Sequence, residues 1–181
     1  MRIARKLSPD QETIQRFLTV LGGAMVELGS NKLARPEFFI QAHTFIAEYI
    51  EGRFFKKEEL LVQTLEDIGF PPDDGPIGFL RNDQTKSHDA AIQMYRAAQH
   101  WQSGDAQARV EVWWAASEYT SIIRQHLTRL KTLIFPLLEQ NIRIEEEHEL
   151  ADQVDKVVLN GDSQNSAEKY NNLVVTLEEE L

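Results

Sequence analysis

The chain has 181 residues, enough for one domain with a sizeable core, and 42% of them are hydrophobic, which excludes wholesale disorder. A formal charge of −10 argues against a nucleic-acid binder and against docking on anionic membranes. The absence of cysteine excludes disulfides, thiolate metal sites and cysteine nucleophiles. The basic N-terminus MRIARKLSPD has no apolar run behind it and does not read as a secretory signal. No apolar stretch reaches the roughly 18 residues that a spanning helix needs, so the expectation is a cytoplasmic protein.

Ser8-Pro9-Asp10-Gln11 reads as a helix start, with serine as cap, proline at the first helical position and glutamine completing a capping box. Ile14, Leu18, Leu21, Met25 and Leu28 follow at steps of three and four, and Gly29 ends the helix. GSNKLAR is a connector. Pro36 opens a second helix that runs to about Ile68, with Gly69 as the stop. After the FPPDDGP loop, a third helix covers Ile77 to Trp101 on the stripe Ile77, Leu80, Gln84, Ser87, Ala91 and Met94. SGD breaks the chain, and a fourth helix runs from about Ala106 to Glu139, with Pro136 expected to kink or finish it. IEEEHELADQVDKVV reads as a shorter helix, LNGDSQNS as a linker and AEKYNNLVVTLEEEL as a last helical piece. No strand and no internal repeat is evident. The expected fold is all-α: an up-down-up-down four-helix bundle over residues 1–150 with an acidic C-terminal helical extension over 151–181.

Each long helix carries a polar residue on or beside its apolar stripe: Gln11, Glu58 or Glu59, Gln84 and His126. Glu58 shares a stripe with Phe54, Leu61 and Leu65. Glu59 shares one with Phe55 and Val62, and the pattern does not choose between them. In an antiparallel arrangement all four positions fall near one end of the rods, where facing side chains build carboxylate–histidine metal sites.

Three segments carry a family resemblance over residues 10 to 150. FFKKEELL looks like the second-helix motif H-H-x-K-E-E, GFPPDDGPIGFL resembles the loop G-x-P-x-x-x-G-P-I, and HLTRLKTLIFPLLEQ is similar to the fourth-helix motif H-I-x-K-E-E-x-x-L-F-P. Together they resemble the hemerythrin-like family, the HHE cation-binding domains. The resemblance implies a di-iron site whose ligand positions fall on Gln11, Phe55, Glu59, Gln84, His126 and Leu130, with Phe54 and Glu58 as the alternatives one residue away. Only a glutamate and His126 survive as ligand types. Gln offers a weak carbonyl oxygen, and Phe and Leu offer none. The implied reading is a degenerate member, with no cofactor and no metal, in which aromatic rings fill the lost pocket and His126 pairs with Glu59 or Glu58. Gln11 and Gln84 would join a closed network around that pair.

Three functions compete. One is an interaction or regulatory bundle, working through a protein partner or self-association. A second is an altered mononuclear site for a single divalent metal ion, drawn from Glu59, His126, Asp83 and His88. The third is a small-molecule binder that uses the vacated core. No P-loop, GxGxxG, HExxH or GxSxG motif is present and no nucleophile stands out, so an enzyme comes last. His43, His88, His100 and His148 read as surface or half-buried residues. Trp113 and Trp114 read as packing, with one of them free to serve an interface.

Overall fold

The computed structural model describes residues 1–30, 34–157 and 165–181, and these form six helices without a strand. Helix α1 is Arg2–Gly29. Helix α2 is one rod over 36–67, α-helical at Pro36–Phe45 and Phe55–Asp67 and π-helical at Ile46–Phe54. Helix α3 is Gly75–Gln102. Helix α4 spans 108–141, α-helical at Ala108–Arg129 and Phe135–Asn141 and π-helical at Leu130–Ile134. Helices α5 (Ile144–Asp155) and α6 (Asn165–Glu179) follow. The middle of the GSNKLAR connector and most of the LNGDSQNS linker lie outside the described residues. Among the described residues no helix is long and apolar enough to cross a membrane.

The expected start of α1 is corrected. The helix begins six residues before Ser8 and runs straight through Pro9. Proline inside a helix forfeits a backbone bond, but the added turns bury Ile3 and Leu7 completely. They also gain a cap from a distant part of the chain: Glu147 of α5 accepts from the backbone N–H groups of Arg2 and Ile3. Tertiary burial thus overrides the local start signal. Glu147→Ala is expected to cost about 1 kcal/mol, with loss of amide-exchange protection confined to residues 2–7. An unchanged urea midpoint would show that the cap is idle.

The other starts follow local chemistry. Pro36 sits at the first turn of α2, and the Asp74 side chain accepts from Gly75 N–H at 2.8 Å to open α3. Gly78 is required there, since a Cβ at that position would stand 2.9 Å from the Asp73 carbonyl. Pro136 does not end α4. The π turn just ahead of it accommodates the missing N–H, and the helix continues to Asn141.

Contacts run in opposite senses along each consecutive pair of rods. Between α1 and α2, Phe17 stacks on Phe45 while Asp10 meets Lys57. Between α2 and α3, His43 stacks on Tyr95 while Glu58 meets Gln84. Between α3 and α4, Trp101 meets Arg109 while Asp83 meets Arg129. Each of these pairs is therefore antiparallel, and α4 also packs on α1.

The division drawn at residue 150 falls inside α5. Leu150, Ala151 and Val154 of α5 and Tyr170, Val174 and Leu177 of α6 belong to the same hydrophobic core as the four rods. Helix α6 lies on α1 and α2, where the Tyr170 hydroxyl donates to Glu48 and Arg16 pairs with Glu178.

Candidate functional site

The Phe54, Glu58, Leu61, Leu65 stripe is the one that turns inward, and all four residues are fully buried. Glu58 is thus the core carboxylate. Glu59, the first choice for the surviving ligand position, is corrected: its side chain is 54% exposed and pairs with Arg81 of α3. Lys57, on the adjacent face, is buried as well.

A charged network crosses the core around Glu58. His126 of α4 faces it through Nε2, at 2.9 Å from Oε1 and 2.8 Å from Oε2. Gln84 of α3 donates to Glu58 Oε2 at 3.0 Å. On the other side of the imidazole, Nδ1 stands 3.5 Å from Asp83 Oδ2, a charge contact too long for a hydrogen bond, and neither atom has another partner. Asp83 Oδ1 accepts from Arg129, one turn along α4 from His126. The Arg129 guanidinium lies 5.1 Å from the centre of the Phe79 ring. The order is Glu58, His126, Asp83, Arg129, with signs alternating from the interior to the edge.

Burial alone would lower the His126 pKa. The Glu58 charge, reinforced by hydrogen bonding and by Asp83, outweighs it and raises the value to about 9. Burial likewise works to raise the Asp83 pKa, but His126 and Arg129 prevail and hold it below the ordinary carboxylate value. With its pKa raised to about 9, the His126 ring keeps its proton at neutral pH. The carbon around it is dense. Phe54 and Leu130 are fully buried, and the Phe55 ring sits 5.3 Å from the imidazole.

The di-iron pair implied by the resemblance does not fit this donor set. Phe54, Phe55 and Leu130 supply only carbon, and Gln11 stands apart from Glu58 and His126 in a groove between α1 and α4. Among the described residues no three histidine, aspartate or glutamate side chains are grouped to hold a metal ion. The residues weighed for a mononuclear site do not converge: Glu59 pairs with Arg81, while His88 turns to Glu51 at 3.0 Å.

Gln11 does not join the network. It is half-buried and lines a groove between α1 and α4. Its neighbour Asp10 is the α1 residue that turns inward, into a second network. Asp10 Oδ1 accepts from the Tyr49 hydroxyl at 2.7 Å, Oδ2 accepts from Lys57, and Arg53 stands 3.4 Å away. The signal for this was present as Tyr49, Arg53 and Lys57 at steps of four on α2, opposite an acid on α1.

No family model matches the chain, and no curated protein or solved structure matches it either.

Proposed function

We propose that this chain is a hemerythrin-like, up-down-up-down four-helix bundle whose metal layer has become a charged side-chain lock, and that it serves as an interaction or regulatory bundle. The observation that carries this reading is the Glu58–His126–Asp83 relay, walled by Phe54, Phe55 and Leu130. These residues lie at or beside the positions where the resemblance expects iron ligands. The antiparallel sense of consecutive rods supports the bundle topology. Exposed apolar side chains support the interaction role. Trp114 is 65% exposed, and Val110 and Trp113 stand next to it at the start of α4. The net charge of −10 favours a protein partner or a second copy over nucleic acid.

The decisive measurement is metal content per chain, by elemental analysis after purification without chelator. The expected result is far less than one iron per chain and no thermal shift on adding Fe(II), Zn(II) or Mn(II). Near-stoichiometric iron would overturn the reading. The interaction role predicts association that Trp114→Ser weakens, read by sedimentation velocity across a concentration series.

A further inference from the structure

Phe54 and Leu130 are fully buried in the core, and the outer surface offers a groove of about 680 Å³ between α1 and α4. That volume lies in the range of small-molecule sites, roughly 300–1,000 Å³. Its floor is Leu18, Leu127 and Phe135, each already less than a tenth exposed. An apolar helix face docking there would bury little new carbon, so the floor favours a polar occupant.

The walls carry unspent polarity. Arg124 and Lys131 line the groove from α4, about 10 Å apart along the axis at 1.5 Å per residue. Neither enters an ion pair within the described residues, a state they share with exposed Lys56 and Lys86, but Arg124 and Lys131 are the only cations that border this groove. The amides of Gln11 and Gln15 line the facing wall on α1 and make no hydrogen bond to any described residue. The hydroxyls of Thr19 and Thr128 already donate to the carbonyls of Gln15 and Arg124, so they offer lone pairs to the groove. Glu12 adds one more acceptor at the wall, beside Ser8. The free donors are cationic or amide groups, and the free acceptors are hydroxyl, amide and carboxylate oxygens.

We infer that this groove binds a small hydroxylated polyanion, with phosphate or carboxylate groups toward Arg124 and Lys131 and hydroxyls toward Thr19, Thr128 and Glu12. Both guanidinium and ammonium groups suit such anions. On a chain of charge −10, an anion settles only where local cations outweigh the field of the whole. The site is independent of the core lock and stands whether or not the interaction reading holds.

The test titrates the ¹⁵N-labelled full chain with pyrophosphate and, separately, with citrate, at a constant ionic strength of about 0.15 M. The expected result is saturable shifts confined to amides of 8–19 and 124–135. The double variant Arg124→Gln/Lys131→Gln should weaken binding about tenfold or more, the loss expected when charge-assisted hydrogen bonds are removed. Lys56→Gln/Lys86→Gln, on exposed lysines of α2 and α3, should leave binding unchanged. Saturation by one probe alone identifies the anionic group. Shifts that never saturate, that spread over the surface, or that weaken equally in the Lys56/Lys86 control would overturn the site. So would saturation by an acidic peptide while neither small anion binds.

Discussion

Glu58→Leu alone is expected to destabilise the protein by about 3–5 kcal/mol, because it strands a buried imidazolium. The fully buried His126 Nε2 loses both oxygens it faces, and Asp83 at 3.5 Å does not replace them. The double variant Glu58→Leu/His126→Leu should recover most of the loss. It removes both charges and fills the space with carbon between Phe54, Phe55 and Leu130, while Asp83 keeps Arg129. A buried ion pair is costly to break and cheap to replace as a unit, so the two single costs should greatly exceed the cost of the pair. Urea denaturation of the four proteins in the cycle measures the coupling. Additive costs, with the double variant as unstable as the sum of the singles, would mean that no such lock operates.

The second large effect is on pH. The His126 pKa rises from 6.5 to about 9 on folding, so the folded state binds this proton more tightly than the unfolded chain. Its contribution is fully present below pH 6.5 and is lost as pH climbs through 9. The shift corresponds to on the order of 3 kcal/mol across that window. Asp83 acts at the other end. Its pKa falls below its ordinary 3.8 on folding, so its contribution is present above that value and lost as pH drops beneath it. Half-buried His43, held below 6.5 by burial first of all, works against His126: it subtracts stability in acid, where folding resists its protonation. Comparing wild type with the Glu58→Leu/His126→Leu variant at each pH isolates the His126 term. Wild type should lose stability relative to the variant between pH 6.5 and 9.5. Parallel curves would refute a protonated core histidine.

The rods, most of their buried faces and, apart from the start of α1, their boundaries within two or three residues were legible in the 3.6-residue spacing of apolar side chains. So were the roles of Gln84 and His126, because each sits within a stripe whose neighbours are plainly core. Local pattern failed where distant residues decide. Ser8-Pro9 looks like a start until Ile3 and Leu7 find a core to enter and Glu147 arrives to cap them. Glu58 and Glu59 were indistinguishable because each sits beside buried apolar residues, Leu61 and Val62, and only the packing of α2 on its neighbours leaves Glu59 outside, where it meets Arg81. Asp10 was overlooked beside Gln11. An acid reads as surface until three donors from α2, two of them in a π-helical stretch that changes the angular step, close around it. Arg129 went unremarked for the same reason, since its meaning depends on Asp83 across an interface.

The capping of α1 by Glu147 bears on the order of events during synthesis. The first turns of α1 wait for a residue 145 positions later, and Arg16 waits for Glu178, 162 positions later. At roughly 5–20 residues per second the ribosome takes about 7–30 s to deliver them. During that interval the cap on Arg2 and Ile3 and the Arg16–Glu178 pair are missing, while α2 and α4 are already there to pack on α1. The α1 cap is therefore among the last contacts available to the fold, added to a bundle whose contacts are otherwise mostly local in sequence.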